Sequence, residues 1–473
     1  MKGKGISTRR QRIRYVVCDW LTSAVAFLLF NIYRYYAVAL HTGNSLGGFL
    51  SSQKLVLEQI FVPVGMLGIY WLSGYYNRPF DKSRLQELVT TFFSAALNSL
   101  LIFLIFLIDD QTLHRAVSYE MLAVLFMLLL GCTYIGRVGI THSAIARLKD
   151  RRWAFNTIIV GNSRMARQTA FNLSKTNSRL GYNIIGFVDI PGEKPITDDA
   201  PVFQLDKLAE ICRSLKIDQL IISPETYDEE RVLQLLFRLF KLDIPIKIAP
   251  DTMSYVTSGI YLQDIYGEPF VDLTSPRCSE SANNVKRLFD VVLSVIALVV
   301  LSPLLAVLAI LVRRSSPGPI IYSQERIGYR QRPFDIYKFR SMRQDAESDG
   351  PRLSSEADTR ITPLGRIMRK YRLDELPQFW NVLKGDMSLV GPRPEREFFI
   401  RQIVRKAPYY TLVHQVRPGI TSWGMVKYGY ASTIEQMVER TRFDLIYLSN
   451  MSTLVDFKIM IYTVKTILTG RGV

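Results

Sequence analysis

Two adjacent carboxylates, Asp374 and Glu375, stand in the stretch "LDELPQFWNVLKGDMSLVGPRPE" of a 473-residue chain whose 59 Lys and Arg outnumber its 42 Asp and Glu. An ionised carboxylate can act as a nucleophile or as a metal ligand. Pro377 suits the first turn of a helix and Gly385 its stop, which places the acid pair at a helix N-terminus. Free N–H groups and the helix dipole favour negative charge there, so both acids are expected to be ionised at neutral pH. The same positive end attracts phosphate.

Cations converge on the same region. Lys338 and Arg340 alternate in the strand-like "FDIYKFRSM" and are expected to face one side. In "GPRPE", Arg393 is held between two prolines, a stiff mount for a guanidinium that would fork a phosphate. Taken singly, an acid pair before a helix is usually a cap, and an arginine in a turn is as often merely solvated. Together with a divalent ion, the set describes phosphoryl transfer, in which positioning and charge neutralisation supply most of the catalysis. No Gly-rich P-loop or kinase signature is present.

The elements that must position these residues begin with a membrane anchor. Hydrophobic residues make up 48% of the chain, too many for an ordinary soluble protein. Four apolar runs, about Tyr15 to Leu40 and near 56–76, 88–108 and 117–140, each approach the ~20 residues of a spanning helix. Basic residues cluster before the first run, at Arg78, Lys82 and Arg84, and at Arg147 to Arg152, while the two intervening loops hold only Lys54 and Arg115. The positive-inside rule therefore places both ends of a four-helix bundle in the cytoplasm. Few buried charges are expected within these spans. Cys18, Cys132, Cys212 and Cys278 form no CxxC pattern, which fits a reducing compartment.

From about residue 155, strands alternate with helices in a parallel, Rossmann-like α/β pattern. Its first turn, "VGNSRMARQTA", keeps only Gly161 of a G-x-G-x-x-G fingerprint, and Asp189 ends the next strand, where a ribose-binding acid would sit. A nucleotide or acyl-carrier (CoA-like) site and a purely structural or dimerising module both remain open for this region. A fifth apolar run, Leu288 to Val312, is broken by Pro303, beside which Ser302 can cap the freed backbone. Lys286 and Arg287 on one flank and Arg313 and Arg314 on the other place both ends on the cytoplasmic side, as in a re-entrant membrane hairpin over 285–313, with the basic flanks docking on anionic lipid. The alternative is a kinked fifth span. The fold class is then a membrane protein with a four-helix transmembrane bundle (1–144), a Rossmann-like α/β middle domain with its linker (145–280) and a C-terminal α/β catalytic module (281–473).

The stretch from "NNVKRLFDVVLSVIALVVLSPLL" to "FDLIYLSNMSTLVDFKIMIYTVKTIL" resembles the bacterial sugar transferases, monotopic polyprenyl-phosphate hexose-1-phosphate transferases. With four spans and a Rossmann-like domain in front, the whole chain is similar to the long-form members that act on undecaprenyl phosphate. One departure is "PGITSWGMVKYGY", where many relatives carry a Gly-Trp-Ala-Gln-Val-Asn run, which bears on sugar and acceptor recognition. The resemblance implies that Asp374 attacks the sugar-bearing phosphate of a UDP-sugar, glucose or galactose foremost, that Glu375 holds Mg²⁺, and that Lys338, Arg340 and Arg393 bind the diphosphate. It further implies work at the cytoplasmic face of the bacterial inner membrane, on a lipid bilayer, starting exopolysaccharide, capsule or O-antigen synthesis. A homodimer is left open, and no nucleic-acid partner is expected. Two rivals are a membrane-anchored nucleotide-sugar dehydratase or epimerase, which would need a second glycine-rich fingerprint and a Tyr-x-x-x-Lys pair, and a non-catalytic membrane scaffold or nucleotide sensor.

Overall fold

The computed structural model describes residues 4–5, 8–38, 45–80, 82, 84–107, 115–149, 153–176, 181–193, 195–196, 200–225, 228–249, 270–272, 278–343, 358–429 and 431–469. Among the described residues four single helices are long and apolar enough to cross a membrane: α1 (Thr8–Ala37), α3 (Gln53–Leu72), α4 (Arg84–Ile102, running on in a π turn to Leu107) and α5 (Arg115–Lys149), with a short α2 (Leu46–Leu50) before the second. Apolar residues occupy both their inner and outer faces. Phe27, Met66 and Leu125 pack inside, whereas Phe61, Phe93 and Met127 are exposed, the outward greasiness of a bundle made to stand in lipid.

The interior of the bundle holds an ion pair that its sequence did not single out. Asp19 and Arg137 are fully buried, with Arg137 Nε and Nη2 donating to the two Asp19 carboxylate oxygens at 2.9 and 2.7 Å. Arg137 Nη1 donates to Thr91 Oγ1 at 2.9 Å, and Tyr76 Oη donates to Asp19 Oδ2 at 2.8 Å. Each charge is paired and hydrogen-bonded, which is the condition for burying it at tolerable cost. Hydropathy windows average such residues away.

The middle domain is a twisted sheet in the order β4–β3–β2–β5–β6–β7. Its strands are β2 (Trp153–Val160), β3 (Tyr182–Val188), β4 (Val202–Phe203), β5 (Gln219–Ile222), β6 (Ile246–Ile248) and β7 (Val271–Asp272), all parallel except β7; β1 (Lys4–Gly5) adds to β2. Helices α6 (Arg164–Thr176), α7 (Leu208–Ser214) and α8 (Glu229–Phe240) form the crossovers. Ile158, Val160, Leu220 and Ile222 are fully buried, the near-continuous apolar strands of a sheet covered on both faces.

The C-terminal module begins with two apolar helices, α9 (Glu280–Val300) and α10 (Ser302–Ser315), whose axes diverge by 63° at Leu301. A pair bent in this way is either a broken span or a re-entrant loop. Pro303 has no N–H to offer the Val299 carbonyl four residues back, and Ser302 Oγ donates to that carbonyl at 2.8 Å. An antiparallel pair follows, β8 (Ile321–Ile327) with β9 (Pro333–Phe339), then α11 (Pro363–Lys370) and α12 (Gln378–Lys384). Parallel β10 (Ser388–Val390) and β11 (Gly419–Thr421) are surrounded by α13 (Glu397–Lys406), α14 (Trp423–Lys427), α15 (Ile434–Ser449) and α16 (Thr453–Leu468).

Both halves of the bent pair pack on this one module. Leu293 of α9 joins the core built on Val382 and Val390, and Leu308 and Val312 of α10 join Phe339 and Met368. Lys286 and Arg287 are not presented to lipid: Lys286 Nζ donates to Asp456 Oδ2 at 2.7 Å and to the Val390 carbonyl at 3.0 Å, and Arg287 Nη1 to the Val382 carbonyl at 2.7 Å. Their charges are spent holding α9 to the module, because carbonyls at the ends of α12 and β10 lie within reach.

Candidate active site

Asp374 and Glu375 occupy a single 3₁₀ turn, Leu373–Glu375, set up by Arg372 in the left-handed region (φ 52°). They precede α12 instead of opening it, since Pro377 is the residue just before its first turn. Gly385 ends α12 at φ 95°, a backbone that favours glycine. Both acids are buried, Asp374 to 6% and Glu375 to 8% exposure.

Their surroundings differ. Glu375 Oε1 accepts from Lys338 Nζ at 2.9 Å, with Arg393 Nη2 at 3.4 Å, and Glu375 Oε2 faces Arg372 Nη1 at 3.3 Å. Burial opposes its charge, but Lys338, Arg393 and Arg372 overcome that and hold its carboxyl well below the usual carboxylate range. The Asp374 carboxylate takes no hydrogen bond from another described residue. Burial pushes its carboxyl up, the Glu375 charge adds to the rise, and Lys338 and Arg369 pull the other way. The two acids are therefore held unequally: Glu375 is pinned as an anion by three cations, whereas burial raises the Asp374 carboxyl.

Lys338 reaches the pair from β9, where it is opposite Tyr322, and Asn381 of α12 ties that strand to the acid-bearing segment. Asn381 Oδ1 accepts from the Tyr337 N–H at 3.0 Å and its Nδ2 donates to the Asp335 carbonyl at 2.7 Å. Arg340 does not join Lys338. β9 ends at Phe339, so the strand alternation no longer applies, and the buried Arg340 guanidinium turns to the Val312 and Ser316 carbonyls at the end of α10. A cation suits the negative end of that helix. Arg340 thus fastens the bent pair to the module and lies away from the acids.

Two cations of the site were not anticipated. Arg372, three residues before Glu375, has a left-handed backbone, and its Nη1 faces Glu375 Oε2 at 3.3 Å. Arg369 lies on α11, where Nε donates to Ser341 Oγ at 3.0 Å. Helix α11 can approach Ser341 because Gly365 carries no side chain; a Cβ there would come within 2.0 Å of the Ser341 carbonyl oxygen. Thr362 caps the helix through the Gly365 N–H at 3.0 Å. The recurring basic residues of "GRIMRKYR" were the available signal.

Among the described residues no group of three or more His, Cys, Asp or Glu side chains gathers as a ready metal cage. Mg²⁺ is commonly held by only one or two carboxylates, with substrate phosphates and water completing its shell, so the adjacent acids fit that mode. In the middle domain, Asp189 at the end of β3 is engaged: its Oδ1 accepts from Asn162 Nδ2 at 2.8 Å, and Arg167 Nη2 donates to Asn162 Oδ1 at 2.8 Å. Gly161, at φ 135°, lets β2 pass the Ser223 carbonyl, which a Cβ would approach to 2.2 Å.

The module thus sets two buried carboxylates and fixed cations beside a bent apolar helix pair. Residues 281–470 match the bacterial sugar transferase family, and residues 72–250 match a CoA-binding domain family. The chain is 46% identical over 188 residues to the UDP-N-acetylgalactosamine-undecaprenyl-phosphate N-acetylgalactosaminephosphotransferase of Aeromonas hydrophila, covering 40% of this chain and 44% of that protein. It is 32% identical over 319 residues to the UDP-glucose:undecaprenyl-phosphate glucose-1-phosphate transferase of Escherichia coli (strain K12), covering 67% and 68%. The protein of the same name from Xanthomonas campestris pv. campestris is 32% identical over 320 residues, with 66% of each chain covered. The chain belongs to the bacterial sugar transferase family.

Proposed function

We propose that the chain transfers a sugar 1-phosphate from a UDP-sugar to undecaprenyl phosphate in two displacements on Asp374. In the first, an Asp374 oxygen bonds to the sugar-bearing phosphorus, the bond from that phosphorus to the bridging oxygen breaks, and UMP leaves. In the second, an oxygen of undecaprenyl phosphate bonds to the same phosphorus and the Asp374 oxygen departs, giving the diphosphate-linked sugar. An acyl phosphate is a good donor, so one hard transfer becomes two easier ones. The observation that carries this reading is the asymmetry of the pair: a buried carboxylate that takes no hydrogen bond from another described residue, beside one neutralised by three cations.

Lys338, Arg393 and Arg369 are the diphosphate-binding cations in this scheme. As the diphosphate arrives, it competes with Glu375 for Lys338 and Arg393, which frees Glu375 Oε1. Asp374 and Glu375 would then hold Mg²⁺, which supplies charge neutralisation on the phosphate oxygens when bound. Donors named for glucose and N-acetylgalactosamine among the relatives make UDP-glucose and UDP-N-acetylgalactosamine the first sugars to try. Galactose, named at the outset from the resemblance, comes third.

The same reading has α9 and α10 enter one leaflet of the inner membrane and leave on the cytoplasmic side. Support comes from the 63° bend, the packing of both halves on one module, and the exposure of Val299 and Val300 at the bend, 67% each. Such a pair would hold Asp374 near the headgroups, where the acceptor phosphate lies. The test is Asp374→Asn in the full chain, assayed for UMP release and for label in the undecaprenyl fraction. Both should vanish, and near-normal turnover would overturn the assignment.

A further inference from the structure

We infer that residues 74–78, the turn that follows α3, form a clasp by which the four-helix bundle sets the position of the bent helix pair and so of Asp374 relative to the acceptor. This rests on the transfer reaction proposed above. The two halves of the turn point in opposite senses. Tyr75 and Tyr76 reach into the bundle, while Asn77 and Arg78 reach out to α9.

The inward half is held by buried charge. Tyr76 Oη donates to Asp19 Oδ2 at 2.8 Å, within the ion pair that Asp19 makes with Arg137. Tyr75 Oη donates to Glu87 Oε1 at 2.9 Å, and the Arg137 guanidinium stacks 3.7 Å from the Tyr75 ring. A turn anchored at two consecutive side chains in a water-poor interior has little freedom to shift.

The outward half meets the first turn of α9. Asn77 Nδ2 donates to Glu280 Oε2 at 2.8 Å and to Asn284 Oδ1 at 3.1 Å, and Arg78 Nε donates to Glu280 Oε1 at 2.8 Å. The Arg78–Glu280 pair is about a third exposed and by itself contributes little. The registration comes from buried contacts. Asn284, 8% exposed, donates to the Trp71 carbonyl at the end of α3 at 2.5 Å. Gly74, at φ 78°, lies so close to α9 that a Cβ would stand 2.7 Å from Glu280 Cβ and 2.8 Å from the Ser281 nitrogen. Helix α9 therefore starts in the socket left by a missing side chain, and a few residues on Arg287 and Asp290 are fixed to the module: Arg287 to the Val382 carbonyl, and Asp290 through the Leu389 N–H at 3.1 Å.

A device of this kind acts on the lipid-borne acceptor, whose depth is set by the bilayer, and leaves the nucleotide donor untouched. The test uses the full chain in vesicles containing undecaprenyl phosphate, with whichever of UDP-glucose and UDP-N-acetylgalactosamine the unaltered chain accepts. Three variants probe the clasp: Gly74→Ala, Asn284→Ala and the milder Tyr76→Phe, which removes only the buried hydroxyl. Each should raise KM for undecaprenyl phosphate, by about tenfold where a hydrogen bond to a charged group is lost, while the burst of UMP released without acceptor keeps its rate and amplitude. Tyr76→Phe combined with Asn284→Ala should cost less than the product of the two single effects, since both act through one turn. Unchanged acceptor KM in all three variants would overturn the clasp, as would an equal fall in both half-reactions of Tyr76→Phe. Failure of the unaltered chain to release UMP from either donor would instead remove the reaction on which the inference rests.

Discussion

The bundle and the catalytic module each bury an aspartate, and they treat it in opposite ways. Asp19 receives two hydrogen bonds from Arg137 and one from Tyr76, so its charge is fully spent on the fold. Asp374, 6% exposed, takes no hydrogen bond from the side chain of another described residue, while Lys338, Arg393 and Arg372 are drawn to Glu375. A buried charge with every lone pair satisfied is architecture. One left short of partners costs stability and is retained where it has chemistry to do.

The largest effect that would break this contrast belongs to Asp374→Asn, which should lower UMP release by at least about a thousandfold because an amide cannot be phosphorylated and expelled. Its thermal unfolding temperature should hold or rise, since an unpaired buried acid has been neutralised. Lys338→Ala comes next, with donor turnover falling by about a hundredfold as Glu375 loses its closest cation. Arg340→Ala should leave KM for the donor unchanged and lower the unfolding temperature, because Arg340 braces α10.

In the bundle the expectation is reversed. Asp19→Asn should destabilise the chain by about 3–5 kcal/mol, the usual cost of stranding one partner of a buried pair, with the folded fraction still releasing UMP. Asp19→Leu together with Arg137→Met should recover much of that stability. Smaller, but sharper, is the pH dependence. Burial raises the Asp374 carboxyl, so the nucleophile protonates as pH falls at a higher value than the ~3.9 of an ordinary aspartate. The acid limb of kcat should therefore lie above that point, and Arg369→Met should move it higher by removing a cation that opposes the rise. Ser302→Ala should cost only about 1 kcal/mol, the worth of one hydrogen bond at the bend.

Much of this was legible in the sequence because the signals are local. Hydropathy runs marked the four long helices, alternation marked the sheet, and Pro303 with Ser302 marked the break at Leu301. The acid pair and Lys338 could be singled out from residue type and spacing. What stayed hidden depends on where the chain turns. Arg340 lies one residue past the end of β9, which is enough to send it to α10; Arg372 reaches Glu375 through a left-handed backbone that no periodicity announces. The Asp19–Arg137 pair joins residues 118 positions apart, and neither disturbs the hydropathy of its own helix. Lys286 and Arg287 resemble lipid-facing flanks in sequence, yet carbonyls of α12 and β10, 95 to 104 positions away, claim them.

The central claim is that Asp374 carries the phosphosugar between the two substrates. It is tested most directly by incubating the full chain in lipid with a donor labelled in the sugar, without acceptor, then stopping the reaction and mapping the label by peptide mass spectrometry. The peptide containing Asp374 should gain one sugar phosphate, in amounts matching the UMP released, and adding undecaprenyl phosphate should discharge it into the lipid. An unlabelled Asp374 peptide, in a chain that turns over normally but releases UMP only when acceptor is present, would contradict the account and indicate direct transfer between the substrates.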